Sequence, residues 1–165
     1  MKAIYEDDKS VSQSSKVLGL QWDFQEDVLI ASCCVPDIPM FTKRAITSAI
    51  ATVYDPLGWF VPLLHQARSY LQRLWKEQYG WDSEIPTNKK VEWVQIRRHM
   101  HGFCKKIPRF VTSRKSKAIL VTFADASKTG MTACTYLYSP ATLSLALLMA
   151  KSKLPSLQGM HNTKA

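Results

Sequence analysis

The chain has 165 residues, 46% hydrophobic and 21% charged, a balance that suits one globular domain, or one domain with part of another, and excludes disorder throughout. Its 22 Lys and Arg against 13 Asp and Glu give a net charge of +9, which favours a polyanion such as nucleic acid as partner. The longest apolar stretch, Ala141 to Ala150, is too short to cross a bilayer, and the acidic start Met1 to Asp8 is neither a secretory signal nor a transit peptide; the expectation is an intracellular protein, cytoplasmic or nuclear, with no membrane partner.

Residues 1–15 are polar without a period and read as a disordered leader. From Lys16 to Phe24 the chain alternates, with Leu18, Leu20, Trp22 and Phe24 on one side, which predicts a half-buried strand. Gln25-Glu26-Asp27 turns, and Val28 to Cys34 completes a β-hairpin ended by Pro36 and Pro39. Thr42 is a plausible N-cap for a helix carrying Ile46, Ala49, Ile50 and Val53, stopped by Asp55-Pro56. A second helix begins with Pro62 at its first position, buries Leu63, Ala67, Tyr70, Leu71 and Leu74, and ends at a left-handed Gly80. A third opens at Pro86-Thr87, buries Trp93, Ile96, Met100 and Phe103, and runs to Ile107-Pro108-Arg109 with Lys105 and Lys106 on its flank.

Ser113 to Lys117 reads as a basic loop. A β-meander follows: Ala118 to Phe123, a turn at Thr129-Gly130, Met131 to Tyr138, a turn at Ser139-Pro140, and a third strand from Thr142 to Met149. Residues 154–165 form a polar, flexible tail. The fold class is therefore α+β, with an N-terminal hairpin, a helical middle and a C-terminal antiparallel meander. Cys33, Cys34, Cys104 and Cys134 form no C-x-x-C pair and read as free, mostly buried thiols.

Charge is concentrated in the middle. Residues 1–60 carry 5 basic and 8 acidic side chains, whereas residues 61–122 carry 13 and 4. Interleaved with Trp75, Trp81 and Trp93, these cations are either a phosphate-binding surface or the solvated face of amphipathic helices. Arg97, Arg98, Lys105, Lys106 and Arg109 are the candidates for contacting nucleic acid, as an RNA/DNA hybrid or a template-primer.

Asp125 follows an apolar strand and is the only acid after Glu92. A strand-borne carboxylate is one way to hold Mg²⁺ against a scissile phosphate, but metal-dependent cleavage uses several such ligands, and a lone strand-end Asp is more often a turn or cap residue. Tyr5-Glu6-Asp7-Asp8 matches the Y-x-D-D of polymerase palms without the flanking strands that motif needs. The four histidines show no metal-ligand spacing, and no glycine-rich phosphate loop is present.

Lys16 to Asp23, Thr42-Lys43-Arg44 and Val53-Tyr54-Asp55-Pro56-Leu57-Gly58, in that order, resemble the pol polyprotein of Pao/BEL-type LTR retrotransposons. The likeness continues through Leu71 to Trp75, Gly80-Trp81-Asp82, Ile107-Pro108-Arg109, Phe123 to Ser127 and Ala150-Lys151-Ser152-Lys153. It implies a segment downstream of the reverse-transcriptase palm: residues 16–110 as a thumb and connection region with a primer-grip-like hairpin, and residues 118–153 as the opening of an RNase H-like domain. On that alignment Asp125 matches the first metal-binding aspartate of RNase H, and Tyr5 to Asp8 falls downstream of where the family keeps its polymerase motif. A grouping with aspartic peptidases finds no support in Asp125-Ala126-Ser127, which is not D-[ST]-G.

The sequence departs from the resemblance after Lys153. There the family continues into a helix bearing a catalytic glutamate, while this chain reads Leu154-Pro155-Ser156-Leu157-Gln158-Gly159-Met160. The expectation is sequence-independent nucleic-acid binding without RNase H turnover or any cofactor in the isolated chain. Two alternatives stand beside it: an Mg²⁺-dependent nuclease, completed at Asp125 by a partner, other pol domains or downstream sequence, or a relic confined to protein contacts.

Overall fold

The computed structural model describes residues 14–17, 20–112 and 117–156. The architecture is α+β: a four-stranded antiparallel sheet, three helices and a second, three-stranded antiparallel sheet.

The first sheet has the order β1 (Ser14–Val17), β2 (Leu20–Asp23), β3 (Val28–Cys33), β4 (Phe103–Pro108). The predicted hairpin is present as β2 and β3, but the run from Lys16 to Phe24 is two strands, and Phe24 lies in the turn, 44% exposed. Asp23 causes the turn, because its Oδ1 accepts the backbone N–H groups of Gln25 (3.0 Å) and Glu26 (3.2 Å). The last two residues assigned to the leader, Ser14 and Ser15, stand in β1.

Helix α1 (Lys43–Ala51) starts at the expected cap, where Thr42 Oγ1 accepts the N–H of Ala45. Helix α2 (Val61–Lys76) buries Val61, Leu64, Ala67, Tyr70 and Leu74. Leu64 takes the core position and Leu63 is only half-buried, a shift of one residue from the expected stripe. The left-handed residue after α2 is Gln78 (φ 57°) and not Gly80.

Helix α3 (Thr87–Met100) buries Trp93, Ile96 and Met100 as expected, but it stops there. Gly102 adopts φ 83°, and its N–H donates to the carbonyl of Cys33, which sends the chain antiparallel along β3. Phe103, Lys105 and Lys106 are therefore residues of β4, not of a helix, and Phe103 is 43% exposed. Strand register overrides the helical period here. It puts Cys104 and Lys106 on the face opposite Ala31 and Cys33, so that among the cysteines Cys33 alone is buried, while Cys34 and Cys104 are exposed.

The core packs Ala31 and Cys33 of the first sheet, with Val35 just beyond β3, against Ile46, Ile50, Phe60, Leu64, Tyr70, Leu74 and Trp93. Tyr70 stacks on Trp93 with ring centroids 5.8 Å apart and donates its hydroxyl to the carbonyl of Lys89. Burial and the nearby Glu92 carboxylate push the Tyr70 phenol far up.

The meander forms β5 (Ile119–Ser127), β6 (Gly130–Ser139) and β7 (Ser144–Lys153), in that spatial order, with a register shift at Thr135/Tyr136. Asp125 lies within β5, two residues before its end. This sheet docks on the helical body through Leu57 and Gly58 and through His65 of α2, which lies beside Gly130. Beyond β7, the Pro155 carbonyl accepts from Gln72 Nε2 at 2.6 Å. Residues 1–13, 113–116 and 157–165, covering most of the leader, the basic loop and the tail, lie outside the described residues.

Candidate nucleic-acid interface and the Asp125 carboxylate

The five candidate cations fall into two groups. Arg97 and Arg98 lie in the last turn of α3; Lys105 and Lys106 lie on β4, with Arg109 just beyond it. Three of them hold the fold together. Arg97 pairs with Asp37 at 2.8 Å and donates Nε to the carbonyls of Val35 and Pro36, tying α3 to the segment that leaves β3. Lys106 pairs with Glu26 at 2.5 Å, and that carboxylate raises its pKa. Arg109 forms a two-pronged pair with Asp27 and lies 4.8 Å over the Trp22 ring. The guanidinium holds the Asp27 carboxyl below the usual range.

Arg98 and Lys105 are exposed and hold no ion pair among the described residues, and the same is true of Arg68 and Lys90. Three of the four acids in residues 61–122 are already taken: Asp82 by Arg44, Glu92 by Arg73 and Glu77 by Lys89. The uncompensated positive charge of the helical middle thus resides on a subset of its cations. Strand alternation places Lys105 with Phe103 and Ile107, lining an apolar cleft of about 410 Å³ between β4 and β7 that also includes Trp59, Phe60 and Leu147.

Asp125 shares its face of the sheet with Thr132, its partner on β6. That face turns toward the start of α2, so Asp125 lines a cavity of about 290 Å³ with Val61, Pro62, His65, Thr129 and Thr132. His65 and Thr129 also line a polar groove of about 430 Å³ between α2 and α3, with Gln66, Ser69, Gln95 and His99. The sequence gives no sign of His65 as a neighbour of Asp125, because a histidine brought to a carboxylate by the docking of a sheet carries no spacing signal.

The chemistry implied for Asp125 is Mg²⁺ binding, which calls for several oxygen ligands around each ion. Asp125 is the only acidic residue lining its cavity, and among the described residues no group of three His, Cys, Asp or Glu could hold a metal. The described residues do not fit a Mg²⁺ site.

A family model described as Pao retrotransposon-like RNaseH-like domain matches residues 42–163. The chain belongs to this family. The match makes it a segment of a Pao-type retrotransposon pol protein and spans both the three helices and the C-terminal sheet. No curated protein and no solved structure matches it significantly. Within this Pao RNase H-like chain, Asp55 shows what one of the shared blocks does physically: its two carboxylate oxygens accept the N–H groups of Trp59 (2.7 Å) and Phe60 (2.9 Å), fixing the entry to α2. Among the described residues no helix is long and apolar enough to cross a membrane.

Proposed function

We propose that this Pao RNase H-like segment binds nucleic acid through its phosphates, without reading base sequence, and that Arg98 and Lys105 are the main contacts among the five candidates. The observation that supports this is the uneven compensation of charge. Arg97, Lys106 and Arg109 are held by Asp37, Glu26 and Asp27, so recruiting them to a phosphate breaks an existing pair, whereas Arg98 and Lys105 are exposed and unpaired among the described residues. Phosphate contacts of this kind position a strand and release counterions, so affinity falls steeply with salt.

Cleavage of a hybrid calls for carboxylates beyond Asp125, and the lone acid lining its cavity supports binding without turnover. Reversing charge at Arg98 and Lys105 together is expected to weaken binding of an RNA/DNA hybrid and to lower the salt slope by about 2, since each phosphate that is no longer neutralised removes roughly one. Unchanged affinity overturns the assignment.

A second reading, Mg²⁺-dependent cleavage once another pol domain supplies the missing ligands, draws on the apolar surface of the C-terminal sheet. Ile119, Leu120, Phe123, Met131 and Leu145 are between 51% and 65% exposed there, more than a self-contained sheet usually leaves to water. Hybrid cleavage that appears on adding such a domain and is abolished by Asp125→Asn supports it; no cleavage with the domain bound overturns it.

A further inference from the structure

We propose that Lys151 and Lys153 of β7 form a second phosphate-binding site, over which a nucleic-acid strand runs along the face of the C-terminal sheet opposite the Asp125 side chain. This rests on the nucleic-acid reading above and extends it to residues on a different element. Register places Lys151 opposite Ala133 and Lys153 opposite Met131, with Ala126 opposite Met131 and Ala124 opposite Ala133 on the other side of β6. Lysines and alanines therefore share one face, and Asp125, Thr132 and Ser152 share the other. Side chains as small as Ala124, Ala126 and Ala133 leave the floor low, and the lysines stand at its side. The result is a shallow trough of about 660 Å³, to whose lining the intervening strand residues Asp125, Thr132 and Ser152 also contribute.

Three features suit this trough to a sugar-phosphate chain. First, Lys151 and Lys153 are exposed and hold no ion pair among the described residues. Second, the sequence offers them no acid after Glu92 except Asp125, whose side chain belongs to the opposite face. Third, a two-residue step along a strand is about 6.7 Å, comparable to the separation of neighbouring phosphates in an extended strand, so each ammonium can meet its own phosphate. The alanine floor, with Met131 at its edge, supplies apolar contact for sugars and makes no base-specific hydrogen bond.

The test is anisotropy titration of the full chain against a labelled RNA/DNA hybrid over a range of salt. Lys151→Glu with Lys153→Glu is expected to lower affinity about tenfold or more near 0.1 M salt and to reduce the salt slope by about 2. Gln at both positions is expected to give a smaller loss of affinity in the same direction with an unchanged circular dichroism spectrum, which separates weakened phosphate binding from unfolding. Lys90→Glu, on α3 away from the trough, is the control and is expected to have less effect than the pair. If the β7 variants bind like wild type, or no worse than the Lys90 variant, the trough is not a site even though the wider reading stands. Wild-type chain that fails to bind at low salt overturns both.

Discussion

The backbone N–H of Ala150 donates to the carbonyl of Leu57 at 2.8 Å. This bond joins the block Asp55-Pro56-Leu57-Gly58 to the block Ala150-Lys151-Ser152-Lys153, two stretches far apart in sequence that meet where the C-terminal sheet docks on the helical body. Gly58 makes the approach possible: it has φ 75°, and a side chain there runs into the Ala150 backbone.

Gly58→Ala is accordingly expected to destabilise the protein by at least about 1 kcal/mol, since it combines a positive φ with a backbone clash. Hydrogen exchange locates the effect. Amides of β5 to β7 should lose protection before those of α2 and α3, and uniform loss across both regions contradicts the docking role.

Leu64 and Leu63 are adjacent but unequal. Leu64 is 1% exposed within the core, whereas Leu63 is only half-buried against it. Leu64→Ala is expected to cost about 2–5 kcal/mol and Leu63→Ala clearly less, as read by denaturant melts.

Asp55 accepts two N–H groups at the start of α2, donors with no partner inside the helix or its entry turn. Asp55→Ala should destabilise by about 0.5–2 kcal/mol, with Asp55→Asn losing less because the amide oxygen still accepts one bond.

Acid should loosen the turn between β2 and β3. The Asp27 carboxyl is depressed, chiefly by its hydrogen bond to Arg109 with a further contribution from Trp22, so the stability it confers is complete above the ordinary Asp pKa of about 3.9 and is lost as pH falls through the lower folded value. Thermal melts from pH 6 to pH 2 should show a decline beginning below about pH 4. Asp27→Asn should have a lower melting temperature than wild type at pH 6, with the difference shrinking at pH 2. A constant difference contradicts the linkage.

Much of the fold is legible in the sequence because local rules and tertiary packing agree. Thr42 caps α1, Trp93, Ile96 and Met100 form the buried stripe of α3, and the meander turns at Lys128-Thr129, one residue before the expected pair. Legibility ends where a long-range partner decides the outcome. Phe103 to Lys106 continues a helical period, yet Gly102 breaks the helix and β3 captures the segment, moving two candidate cations from a helix flank to opposite faces of a strand. Site residues are harder still. Nothing in the spacing of Arg97, Lys106 and Arg109 shows that Asp37, Glu26 and Asp27 already occupy them, because those acids, distant in sequence, are brought beside them by the β2–β3 turn and the segment after β3.

Phosphate binding without turnover stands or falls on titration of wild-type chain into a fluorescent RNA/DNA hybrid with Mg²⁺ present, at several salt concentrations, following affinity and strand length together. Saturable binding whose affinity drops steeply with salt, over intact strands, is the expected result. Absence of binding at low salt, or strand cleavage that Asp125→Asn abolishes, contradicts it.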